Sequence, residues 1–206
     1  MLRAAEWRLV ERTGALLAQL FFIAVGVYLG NRADAWREER SHREAAHTTL
    51  ANFRTEIAQN RRSLARRLSY HAALRDSLRG VLEGRHPRSY PELFRRLPWK
   101  GISPFIATHT ARDLAFATQA LSYVEPKLAF ALAGVYQDQD VLERQNAIFL
   151  ANGFTPSTFA LNDPTPFAAS LQGYLEDVAT YAEPALLRAY DRILPRLDSV
   201  LMATPE

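Results

Sequence analysis

Thr13 to Gly30 is a run of eighteen residues without a charge, closed by Arg12 on one side and Arg32 on the other. As a helix rising about 1.5 Å per residue it would cover about 27 Å, close to the hydrocarbon thickness of a bilayer. A chain carrying such a run must bury it in a protein core or place it in lipid. A cleaved signal peptide would need a shorter apolar region and a small-x-small cleavage site before a polar start, and that pattern is missing. A buried helix of a soluble core is the other alternative, and Gln19 lowers the hydropathy of the run. The expectation is an uncleaved transmembrane anchor at 13–30, preceded by an amphipathic interfacial tail at 1–12. Trp7 on one side, with Tyr28 and Trp36 on the other, fits an interfacial aromatic belt. Gly26 and Gly30 form a G-x-x-x-G spacing, and Gln19 can hydrogen-bond a neighbouring helix, so these three are the expected membrane partner-packing residues. Arg3, Arg8, Arg12 and the amino terminus balance Arg32, Arg37, Arg40 and Arg43, so flanking charge does not choose a side. The reading places the short tail inside and the large part outside.

The remainder, about 176 residues of the 206, is long enough to bury one core. The chain is 48% hydrophobic and 23% charged, too apolar for disorder. It has no cysteine, which excludes disulfides, thiolate metal sites and cysteine nucleophiles. The net charge of +3 hides a segregation: residues 61–96 carry +7 and residues 97–206 carry −5. Such an arrangement reads either as two parts that pack near each other or as a docking surface for a partner.

From Asn31 to Leu82 there is no proline, and the first glycine is Gly80, so the periodicity predicts a helix over 31–82. Leu50, Ile57, Leu64, His71 and Leu78 recur every seven residues, with Phe53, Asn60, Arg67, Leu74 and Val81 three behind them. Asn60, Arg67 and His71 interrupt this seam, so the stretch reads as a stalk whose far half packs on the rest of the domain. The Gly84–Pro91 segment breaks the helix. A short helical turn is expected at 93–97 and an extended stretch at 103–108. A helix follows from Thr110 to just before Glu125, and another from Pro126 to about Leu150, with Pro126 as its first residue. Two last helices are expected at 165–182 and 184–202, the second started by Pro184 and kinked at Pro195. The fold class is therefore all-α: a transmembrane helix, a long stalk helix, and a helical-bundle extramembrane domain completed by residues 83–206.

The end of the span, Gly26-Val27-Tyr28-Leu29-Gly30, running into Asn31-Arg32-x-Asp34-x-Trp36-Arg37-Glu38-Glu39-Arg40, resembles a family of uncharacterised bacterial single-pass membrane proteins. Leu50, Glu56, Asn60 and Leu64, and the helices between Thr108 and Arg144, are similar to that family as well. The likeness covers about 120 of the 206 residues. It implies a single-pass topology in a bacterial membrane and brings no activity with it; with the tail read as inside, the expected localisation is the inner membrane with the outer domain in the periplasm.

No motif names a reaction. There is no phosphate-cradling glycine loop, no G-x-S-x-G and no H-E-x-x-H, so no catalytic, cofactor-binding or metal residues are expected. His109 is the best single candidate for a ligand or proton-active group, although a cap-region histidine bonded to local backbone is the plainer reading. Asp138, Asp140 and Glu143 read as a solvated helix face. Arg61, Arg62, Arg66, Arg67, Arg75 and Arg79 begin the densest basic run. It lacks the aromatic interleaving of a nucleic-acid site, so the expected acceptor is a protein surface, in a partner or in this chain. The function expected is that of a non-catalytic accessory subunit of a larger bacterial membrane complex, for instance a photosynthetic reaction-centre and light-harvesting complex. A membrane-anchored sensor that binds a ligand among Phe105, Phe116, Tyr123, Phe130, Phe149, Phe154, Phe159 and Phe167 is the alternative. No small-molecule substrate is evident.

Overall fold

The computed structural model describes the backbone of residues 2–160 and 162–203, and the side chains of 25–160 and 162–203. All regular secondary structure among the described residues is helical, and they hold no strand. Its helices are α1 (Leu2–Glu83), α2 (Tyr90–Arg95), α3 (Thr110–Ala117), α4 (Pro126–Gly153), α5 (Pro156–Ala160), α6 (Thr165–Asp177) and α7 (Glu183–Ala203). The chain divides into two units, Met1–Ala45 and Ala46–Glu206.

In the first unit, residues 26–41 of α1 are exposed. Around Gly26 and Gly30 an added Cβ would meet nothing within 4 Å. Val27, Tyr28, Leu29 and Trp36 are all exposed, while Arg40–Glu44 and Glu39–Arg43 pair along the helix surface. Trp7, Gln19 and positions 13–24 of the expected span lie outside the residues whose side chains are described. Among the described residues no helix is long and apolar enough to cross a membrane.

In the second unit the seven-residue seam of α1 is the spine of the core. Leu50, Phe53, Ile57, Leu64, Leu74, Leu78 and Val81 are buried, and so are Asn60 and His71, while the third polar member, Arg67, is half-buried. The apolar positions pack against Leu128, Leu132 and Leu142 of α4, Phe167 and Leu171 of α6, and Leu186, Tyr190 and Ile193 of α7. Each fully buried side chain of this size contributes about 1.5–3 kcal/mol.

The polar interruptions have a shared cause. Residues 101–109 form no regular secondary structure, with Gly101 and Ser103 both left-handed, and the amides and carbonyls of such a segment must find partners outside helix or sheet. On the α1 side, Tyr70 Oη donates to the Gly101 carbonyl at 2.5 Å. His71 Nε2 donates to the Ile102 carbonyl at 2.7 Å, and Arg67 Nε to the Pro104 carbonyl at 2.9 Å. Asn60 takes both backbone groups of Thr108, donating to its carbonyl at 2.9 Å and accepting its N–H at 3.0 Å. On the α4 side, Asn146 donates to the Phe105 carbonyl at 3.0 Å, and Glu143 accepts the Ala107 N–H at 2.6 Å. Glu56 then accepts the Ala111 N–H at 2.7 Å, in the first turn of α3. Gly101, at φ +84°, supplies the left-handed turn that opens the segment, a conformation open to glycine at no steric cost.

Four boundaries differ from the sequence expectation. The short turn expected at 93–97 is α2 at Tyr90–Arg95, started earlier by Ser89, whose hydroxyl accepts the Glu92 N–H. The helix from Thr110 stops at Ala117, where Gln119 turns left-handed and a 3-10 turn, Ala120–Tyr123, follows. That turn puts Ala120 and Val124 into the core, which a continuous helix would not do. A short helix, α5, forms inside the proline-rich loop. Pro184 does not start a separate helix: α6 passes into α7 through a π-helical turn, Val178–Ala182, where the Glu183 N–H reaches back five residues to the Val178 carbonyl. Proline has no N–H to give to the Thr180 carbonyl, and the wide turn carries the chain through that missing bond.

The π turn delivers Glu183 to His71. Both side chains are fully buried, with Nδ1 2.8 Å from Glu183 Oε1. Burial by itself would lower the imidazole pKa, but the bond to Glu183, the carboxylate's charge and the Ile102 carbonyl outweigh it and raise it above the ordinary 6.5, with Arg67 opposing. Both ring nitrogens face oxygens, so the folded protein favours the doubly protonated ring. A raised folded pKa gives stability that is full below about pH 6.5 and is lost as the pH climbs through the folded value. Unfolding of the full chain in detergent should therefore show stability falling as the pH rises above the ordinary 6.5. His71→Leu alone should cost about 3–5 kcal/mol by stranding Glu183. The double change His71→Leu/Glu183→Leu should recover some of that and flatten the pH slope; an unchanged slope would contradict the assignment.

Candidate functional site

α4 carries polar side chains on its inward face at Tyr136, Gln139, Glu143 and Asn146, positions three or four apart and so on one side of a helix. Tyr136 Oη donates to Glu56 Oε1 at 2.6 Å, and Glu56 is buried. Burial first, then the bond to Glu56, push the Tyr136 phenol well above its ordinary pKa, so it is a donor at every physiological pH. Asn146 accepts from Tyr174 Oη at 2.8 Å. Gln139 and Tyr190 are both fully buried and face each other, with no further hydrogen-bond partner for the amide or the hydroxyl among the described residues.

At the outer end of this stripe three potential ligands converge. His109, Asp140 and Glu143 place one ring nitrogen and two carboxylate oxygens within 4.8 Å of one another. His109 precedes α3 but makes no cap bond of its own; its Nε2 sits 3.1 Å from Glu143 Oε2. The expectation of a histidine bonded to local backbone is thus corrected, because the ring reaches a carboxylate 34 residues away. Glu143 does not belong to a solvated face either: Oε1 is held by Ala107 and Oε2 faces the ring. Arg112 completes the group, with Nη1 3.0 Å and 3.3 Å from the two Asp140 oxygens and Nε 3.1 Å from Asp113. Its guanidinium lies over the Tyr136 ring, 5.5 Å from the centroid. A shallow, open pocket begins here, lined by Arg112, Phe116, Leu121, Ala129, Tyr136 and Asp140.

The basic run has its acceptors largely within the chain. Arg61 pairs with Asp191 at 2.5 Å, Arg79 with Glu176 at 2.8 Å, and Arg75 with Asp76 and the Thr180 hydroxyl at 2.8 Å each. Arg67 serves the Pro104 carbonyl. Arg62 and Arg66 are exposed, and no ion pair or hydrogen bond reaches them among the described residues. The segregated charge is in part a pairing of α1 against α6 and α7, through Arg61, Arg79 and, at 3.9 Å from Glu176, Arg75. Of the eight aromatic residues offered for a ligand pocket, Phe149, Phe154, Phe159 and Phe167 are linked by ring contacts of 5.5–6.1 Å, while Phe116 and Phe130 are 63% and 84% exposed.

Sequence reasoning missed Glu56 as a buried acceptor and the meeting of His109 with Asp140 and Glu143. The Asp140-x-x-Glu143 spacing was legible; the partner histidine was not, since only the path of 101–109 brings it there. No family model matches the chain, and no curated protein or solved structure shows significant similarity to it.

Tyr136→Phe removes one of the two bonds to the buried Glu56 carboxylate. It should lower the unfolding free energy by about 1.5–3 kcal/mol in a denaturant titration; a loss under about 0.5 kcal/mol would show that Glu56 does not depend on this phenol.

Proposed function

We propose that this chain is a non-catalytic, membrane-anchored accessory subunit that docks on a larger bacterial membrane complex. The observation that carries the reading is the uncharged run Thr13–Gly30 within the helical backbone of α1, with its exit residues Val27, Tyr28, Leu29 and Trp36 exposed and the Gly26 and Gly30 surface open to a close-packing neighbour. A second support is the use of the polar interior. Glu56 and Asn60 are taken up by backbone groups, and His71 by the Ile102 carbonyl and one oxygen of Glu183, as in a scaffold. The resemblance to single-pass membrane proteins agrees with this, with the second unit on the periplasmic side. A photosynthetic reaction-centre and light-harvesting complex is one assembly of the right kind. Arg62 and Arg66, exposed on α1, and the exposed apolar residues of α4 offer the outer domain's contacts to such a partner. The alternative, a membrane-anchored ligand-binding module, draws on the open pocket beside Tyr136 and Arg112.

Membranes from the native host decide this. The protein should stay in the pellet after an alkaline carbonate wash, and in mild detergent it should migrate in a particle much larger than its own 23.3 kDa. Release by carbonate would contradict the anchor, and migration as a free chain would contradict the subunit role.

A further inference from the structure

We infer that His109, Asp140 and Glu143 bind one divalent transition-metal ion of the zinc class. The donor set is one imidazole nitrogen and two carboxylates, which suits zinc and its neighbours better than the all-oxygen shells of calcium or magnesium. Around zinc with bonds of about 2.1 Å, neighbouring tetrahedral ligands stand roughly 3.4 Å apart. His109 Nε2 and Glu143 Oε2 already stand 3.1 Å apart. Asp140 has its donor within 4.8 Å of both. It is the most exposed of the three, and Asp140 and Glu143 sit three apart on the same helix, so a rotamer change brings it in.

The surroundings favour this assembly. Glu143 is oriented by a bond to its other oxygen, the 2.6 Å donation from the Ala107 N–H, which is the usual way an outer contact fixes a ligating carboxylate. Arg112 is the competing cation, paired with Asp140. It is also bonded to Asp113 at 3.1 Å, so it can give up Asp140 and keep a carboxylate partner. Two carboxylates and a neutral imidazole leave the ion's charge balanced by the protein, with the remaining positions open to water on the side of the pocket that Asp140 lines. The ion would tie residues 107–109 to α4, adding a bond to the same contact that Glu143 makes with Ala107.

The test uses the full chain in detergent, stripped with a chelator and titrated with Zn2+ by calorimetry and with Co2+ by visible absorption. One equivalent should bind, and Co2+ should give the d–d bands of a low-coordinate nitrogen and oxygen site. His109→Gln and Asp140→Asn should each weaken binding by tenfold or more, since even outer contacts to metal ligands are worth about 10–100-fold. A His42→Asn/His47→Asn control should leave binding unchanged. Asp140 is a surface residue, so its variant stays folded and circular dichroism can verify that. Absence of stoichiometric binding, binding that both site variants retain, or binding lost in the control overturns the inference.

Discussion

An irregular backbone segment packed onto a helical domain has to satisfy its amides and carbonyls without a helix or a sheet. In this protein that requirement falls on residues 101–109, and it organises the rest of the second unit. Each buried backbone group left unpaired would cost about 1–3 kcal/mol, so several such groups would outweigh the few kilocalories that separate folded from unfolded domains. Side chains of α1 and α4 meet the requirement from opposite sides. Asn60 stands in for a neighbouring strand by taking both groups of Thr108, and Tyr70, His71, Arg67, Asn146 and Glu143 take single groups. The hydrophobic seam of α1 then closes around a segment that is already neutralised.

This explains features that otherwise look like defects. The seam of α1 is broken at Asn60, Arg67 and His71, where a packed bundle would place leucines. His71 in turn needs a counterpart for its second nitrogen, and Glu183 is that counterpart. Glu183 lies at the exit of the π turn ahead of Pro184, so the irregular winding of α6 into α7 and the irregular composition of α1 meet in one buried pair. At the other end of the segment, Glu143 and His109 share the same logic on a more exposed surface, where the carboxylate holds backbone with one oxygen and a ring with the other.

Much of the helical order was legible beforehand. The break-free stretch to Leu82 and Pro126 as a helix start each follow from local chemistry, and α1 and α4 end within a few residues of the expected positions. The seam residues Leu50, Ile57, Leu64, Leu74 and Leu78 are buried as their spacing implied. What stayed hidden depends on contacts distant in sequence. The stop at Ala117 is set by the fit of Ala120 and Val124 to the core, and the π turn by the missing N–H of Pro184. The roles of Glu56 and Glu143 depend on where residues 101–109 pass, and periodicity carries no information about that path. The partner-packing residues Gly26 and Gly30 are placed on an exposed helix surface, whereas Trp7 and Gln19 lie outside the described side chains.

Amide hydrogen exchange tests the dependence on side-chain partners most directly. The account predicts that the Ala107, Thr108 and Ala111 amides exchange as slowly as those in the middle of α4. Asn60→Leu should release the Thr108 amide by orders of magnitude while the α4 amides stay protected. Fast exchange at all three positions in the unmodified protein, or a Thr108 amide indifferent to the loss of Asn60, would contradict it.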